Sequence, residues 1–121
     1  MPYIDGFVIA VPNANKSAFI EMARKSDPVF MEYGATRVFE CWGEDVPVGK
    51  VTDFRRAVQA SDDETVVFSW IEWPDKATRD AAMAKVMRDP RMGPETMQGI
   101  FDGKRMIFGG FAPVIELGSK A

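Results

Sequence analysis

The chain has 121 residues, 46% of them apolar and 27% charged, with 15 Lys and Arg against 18 Asp and Glu for a net charge of −3. That composition excludes a disordered chain, a collagen and a disulfide scaffold. It fits one domain, residues 1–121, with one core, since a chain of this size buries roughly two thirds of its unfolded surface. The acidic balance argues against a partner held through phosphates, which needs a basic face, so nucleic acid is not expected.

The elements follow from patterning. Residues 3 to 12 are aromatic and β-branched, with Phe7, Ile9 and Val11 on one side and Val8 and Ala10 on the other. A strand apolar on both sides is covered on both sides. Asn13 or Asn15 is placed to cap a helix over residues 16 to 33, where Phe19, Ala23, Phe30 and Tyr33 recur at helical spacing beside Met22. Pro28 is expected to break or kink that helix near Asp27, and Gly34 to cap it. Thr36 to Trp42 reads as the second strand, with Val38, Glu40 and Trp42 on one face and Arg37, Phe39 and Cys41 on the other. Residues 43 to 53 read as a loop and Phe54 to Ala60 as a strand or ribbon. Thr65 to Trp73 is the clearest strand, with Phe68 and Trp70 opposed to Val67, Ile71 and Trp73. Asp75 caps a helix over residues 76 to 88 whose stripe is Ala77, Ala81 and Ala84, stopped by Asp89-Pro90. A long connection follows, with a short helix from Pro94, and then a last strand, Lys104 to Leu117, bulged or closely approached at Gly109-Gly110. The order βαββαβ predicts an α+β, ferredoxin-like fold with helices on one face of an antiparallel sheet. The other face is apolar too, which predicts a second subunit and a dimeric α+β barrel, the chain being its own partner.

Histidine is absent. That removes Ser-His-Asp and Cys-His catalysis, imidazole metal sites and histidine-held haem, and leaves carboxylates, Lys, Tyr or Cys41 as acids and bases. Cys41 is the single cysteine, cannot form an internal disulfide and reads as a small buried hydrophobe. No phosphate loop, dinucleotide fingerprint or metal-spaced Cys/His set occurs, so neither cofactor nor metal is expected. The start, Met1 to Asp5, lacks the basic region of a signal peptide, and no run approaches the roughly 18 apolar residues of a membrane helix. A cytoplasmic protein without membrane attachment is expected.

Chemistry then rests on polar and aromatic residues inside apolar strands. Glu40, between Val38 and Trp42, is either a carboxylate with a raised pKa serving as base or ligand anchor, or the partner of an arginine such as Arg55. Trp42 and Trp70, with Trp73, Phe39 and Phe68, either line a pocket for a flat ligand or form dimer core. Arg55 and Arg56 either hold an anion or belong to a solvated hairpin. Asp89-Pro90-Arg91-Met92 and Asp102-Gly103-Lys104-Arg105-Met106 read as turn chemistry. The ligand-binding candidates are therefore Glu40, Trp42, Arg55 and Trp70, with no catalytic residue assigned.

The stretches DGFVIAVP (5–12), GATRVFECWGEDVPVGKVTDFRRAV (34–58), VVFSWIEWPDKATRD (66–80), DPRM (89–92) and FDGKRMIFGGF (101–111) resemble the YbaA-like bacterial family, small proteins classed as of unknown function. The resemblance implies the dimeric α+β barrel and no defined activity. The wider superfamily includes cofactor-independent monooxygenases, haem-degrading enzymes and stress-responsive proteins, an analogy of fold alone. The expected function is binding of a small organic ligand between sheet and helices. The alternatives are a cofactor-independent monooxygenase, in which Trp70 or Tyr33 positions the substrate and Glu40 takes its proton, and an RNA-associated protein.

Overall fold

The computed structural model describes residues 1–118. β1 (Tyr3–Pro12) leads through one 3₁₀ turn into α1 (Lys16–Glu32), then β2 (Arg37–Trp42), a loop, the single-turn α2 (Phe54–Ala57), β3 (Glu64–Trp73), α3 (Lys76–Val86), three further 3₁₀ turns and β4 (Ile107–Phe111). The strands form one sheet in the order β2-β3-β1-β4, every neighbouring pair antiparallel. This is the ferredoxin-like arrangement of two split βαβ units, each helix crossing the same face. The sheet does not close on itself: β2 and β4 are its edges.

Alternation divides the strands as their sequence demands. Towards the helices point Ile9 and Val11 of β1 and Val67 of β3, packed with Phe19 of α1. Further along the sheet Ile71 and Trp73 pack with Ala35 and Ala82. On the opposite face Val8, Ala10 and Val66 are buried under Val58, just beyond α2. The rest of that face is open: Phe68, Ile107 and Phe111 are exposed and border a hollow of about 710 Å³ together with Trp70.

Several local expectations are corrected. α1 runs through Pro28 without interruption. Pro28 is exposed, so the carbonyl deprived of its donor, that of Arg24, lies at an exposed residue where water can serve it. Neither Asn13 nor Asn15 caps the helix with its side chain. Asn15 instead donates to the carbonyls of Gly99 and Ile100, tying down the long connection. Gly34, at φ +116°, ends α1 as expected: its N–H donates to Met31 and that of Ala35 to Phe30, the paired bonds of a Schellman turn. Phe54 to Ala57 is a helical turn rather than a ribbon, because the Asp53 carboxylate accepts from the Arg56 N–H. Asp75 caps α3 by accepting from Thr78, but the buried stripe is Ala82 and Val86; Ala77, Ala81 and Ala84 face water. β4 has five residues, not fourteen, and its Gly109-Gly110 pair continues the ladder with β1 without a bulge. The expected close approach is present: a side chain at Gly110 would collide with the Tyr3 ring and stand 2.9 Å from Arg79. Asp89 and Asp102 cap the 3₁₀ turns that follow them, which is the turn chemistry their sequence suggested.

Candidate functional site

α1 crosses the sheet above β2 and leaves a groove between them. The groove holds about 630 Å³ and is lined by Phe19, Ile20, Ala23, Met31, Val38 and Trp42, with three charged side chains: Arg24, Asp27 and Glu40. Beneath it lies a smaller chamber of about 180 Å³, walled by Phe7, Ile9, Phe30 and Ile71 and by four methionines, Met22, Met92, Met97 and Met106. Asp27, Glu40, Phe19 and Val38 border both spaces, so the two carboxyls lie where the groove and the chamber adjoin.

Each carboxyl is placed by its element. Glu40 is on the helix-facing side of β2, directly across from Ser69 of β3, a buried residue. Asp27 lies four residues beyond Ala23 on α1, so the helical repeat brings it over β2. Asp27 and Glu40 are close enough that each shifts the pKa of the other. Enclosure by apolar protein atoms pushes Glu40 well above the usual carboxylate range, and the hydrogen bond and negative charge of Asp27 push it further; the Ser69 hydroxyl pulls weakly the other way. Asp27 is also raised, chiefly by its own enclosure, while the bond from Glu40 lowers it. The residues are not sealed off: Glu40 is exposed towards the groove and Asp27 is half-buried. Burial and mutual proximity therefore favour a protonated Glu40 beside Asp27, within reach of groove solvent.

Of the four sequence candidates, Glu40 and Trp42 meet at this groove. The expected arginine partner of Glu40 is absent, and another carboxyl stands in its place. Trp70 is on the opposite face of the sheet, stacked on Phe39 with ring centroids 4.5 Å apart, its indole N–H donating to Glu72. Arg55 is remote from both, bonded to the carbonyls of Glu64 and Ser61. Tyr33 is engaged as well: its hydroxyl donates to Asp89 at 2.8 Å. Asp27 and Ser69 were missed. The available signal for Asp27 was an acid on the stripe Ile20, Ala23, Asp27, Met31, which at helical spacing is otherwise apolar. Among the described residues no three Asp, Glu or Cys side chains are grouped to hold a metal ion, and no helix is long and apolar enough to cross a membrane.

The fold and sequence have close counterparts. YbaA of Escherichia coli strain K12, described as uncharacterized, is 59% identical over 116 residues, 96% of this chain and 99% of its own length; that of Shigella flexneri matches to the same degree. Among solved structures, a dimeric ferredoxin-like protein from an uncultured marine organism superposes with a TM-score of 0.63 at 16% identity, covering 97% of this chain and 100% of its own. A variant of SnoaB, a cofactor-independent oxygenase from Streptomyces nogalater, superposes with a TM-score of 0.64 at 15% identity, covering 98% of each chain. Identities this low speak for the fold alone. Residues 2–103 match the family described as "Protein of unknown function (DUF1428)", and with YbaA so similar along nearly the whole chain, the protein belongs to that family.

Proposed function

We propose that this protein binds a small, mostly apolar organic molecule in the groove between α1 and β2, with a polar group of the ligand seated at Asp27 and Glu40. The observation that carries this reading is the carboxyl pair itself. Two acids border both of two mostly apolar spaces, a costly arrangement that packing alone does not require. The test is a thermal-shift screen of neutral, cationic and anionic aromatic compounds. A ligand at 100 times its dissociation constant adds about 2.7 kcal/mol, a rise of several degrees for a domain of this size. Hits are expected to vanish in Ile20→Trp, which fills the groove from its exposed rim. Hits that persist in that variant lie elsewhere and overturn the assignment.

The same reading includes a homodimer. The open sheet face carries Phe68, 43% exposed, with Ile107 and Phe111 beside it, and a four-stranded sheet with one apolar face bare is half of a sandwich. A second copy of the same face would cover it, and one neighbour in fold is described as dimeric. Phe68→Glu is expected to halve the mass measured by light scattering. A wild-type protein that is already monomeric at micromolar concentration refutes the dimer.

A second reading, a cofactor-independent oxygenase acting on a phenolic substrate, is supported by one feature of the site. The deprotonated member of a carboxyl pair with a raised pKa is a base better matched to a phenol than an ordinary carboxylate. SnoaB, a neighbour in fold, is described as a cofactor-independent oxygenase. Dioxygen uptake that requires a phenolic compound and is lost in Glu40→Gln supports it; stabilisation by phenols without uptake leaves binding alone.

A further inference from the structure

Four nearly covered carboxylates in this protein each come with an arginine. Asp5, its side chain 4% exposed, has Arg79 at 2.8 Å. Glu64, 7% exposed, has Arg105 at 2.7 Å. Asp89, 6% exposed, has Arg91 at 2.8 Å, and Asp53, 5% exposed, has Arg56 at 3.5 Å. Asp27 and Glu40, more open than these four, border the same groove and form no ion pair among the described residues.

Resting on the reading of the groove as a ligand site, we infer that its occupant is an organic cation. A protonated amine would place its ammonium between Asp27 and Glu40 and its apolar body against Phe19 and Trp42. Charge decides between ligand classes. Two carboxyls bordering one groove disfavour an anion, and a neutral hydroxyl brings no charge to meet either of them. An ammonium supplies the opposite charge and three donors for the carboxylate oxygens. Trp42 and Phe19, whose rings lie 6.4 Å apart between centroids, add π faces that favour a cation.

The surrounding groups leave room for it. From α1, Arg24 lines the groove and the Lys16 ammonium stands 5.1 Å over the Trp42 ring; both are exposed residues, and neither pairs with Asp27 or Glu40. β3 contributes the uncharged Ser69, and the connection beneath contributes only Met92, Met97, Phe101 and Met106. Binding is an exchange: the ammonium enters with its own protons, and the proton held by Glu40 leaves to solvent. No bond is made or broken beyond that transfer.

The experiment is calorimetric titration at neutral pH with three compounds of one shape, 2-phenylethylammonium, 2-phenylethanol and phenylacetate. It is run in two buffers of different protonation enthalpy, so that proton release is counted. The ammonium is expected to bind at least about tenfold more tightly than the alcohol, releasing up to one proton. Asp27→Asn and Glu40→Gln, each checked for a cooperative melt, are expected to remove the ammonium's preference over the alcohol. If the alcohol or the carboxylate binds as well as the ammonium, the cation inference falls and the groove remains a ligand site. If none of the three binds and the broader thermal-shift screen is also flat, both readings fall.

Discussion

Glu40→Gln is expected to raise the melting temperature in mild alkali and to flatten the dependence of stability on pH. The sign follows from proton linkage. The Glu40 carboxyl ordinarily titrates near 4.5 and in the folded protein is pushed up to about 9, by enclosure first and by Asp27 second. Between those values the folded chain holds a proton that the unfolded chain has released, so unfolding releases it and stability falls as pH rises. The contribution is fully present below about pH 4.5 and is lost by about pH 9. Because Glu40 is open to the groove, water screens its charge, and the loss across that window is set at on the order of 1–2 kcal/mol rather than the full value of the shift. Asp27, also raised, acts in the same direction. Glutamine keeps a donor for Asp27 and carries no charge, so it holds the protonated arrangement at every pH. Glu64 works with the opposite sign: Arg105 holds it down at about 2, so its contribution is present above about pH 4.5 and lost as pH falls towards 2. The wild-type profile should therefore peak in mild acid, and the variant should lose only the alkaline slope. A wild-type melting temperature that does not fall between about pH 5 and about pH 9 would show that Glu40 is not held protonated.

The fold was legible because its strands carry the period-two pattern on both faces. Phe7, Ile9 and Val11 oppose Val8 and Ala10 as alternation requires, and Gly34 and Asp75 mark helix ends by stereochemistry that needs no tertiary context. The stripe of α3 was not legible, because alanine at 77, 81, 82 and 84 occupies more than one side of the helix. What turns the helix is Val86 against the core and the reach of Arg79 to Asp5, both tertiary facts.

The site was half legible for a related reason. That Glu40 and Trp42 share a strand face is a matter of parity. That Trp70 does not join them is a matter of register: β2 pairs with β3 so that Glu40 meets Ser69 and Trp70 meets Phe39. A single strand's pattern cannot reveal the offset between two. Asp27 was hidden by its neighbour. Pro28 drew attention to the backbone, as a helix stop, and away from the Asp27 side chain. An acid in a sequence suggests a base as its partner, and a partner of like charge becomes visible only when α1 is seen to cross β2.

Arg79→Ala is expected to cost about 3 kcal/mol, the low end for breaking a buried ion pair because Arg79 itself is partly exposed. Its guanidinium holds Asp5 through Nη2 at 2.8 Å and Nε at 3.2 Å to both carboxylate oxygens. Asp5 is 3% exposed and Trp73, which donates its indole N–H to the same carboxylate at 2.9 Å, is 0% exposed. Removing the arginine leaves that carboxylate covered with one neutral donor, far short of the charge it needs. Urea unfolding measures the loss, and Asp5→Asn in the Arg79→Ala background should recover a large part of it, because the remaining amide keeps the bond from Trp73 without the charge. Full stability in Arg79→Ala alone would mean that water reaches Asp5 as it reaches the groove. The comparison bears on the site: the truncation makes Asp5 what Glu40 already is, a carboxyl without a cation. At Asp5, enclosed behind Trp73, the consequence is instability. At Glu40, which faces an opening, a raised pKa favours the uncharged form, and solvent or a ligand has access to it.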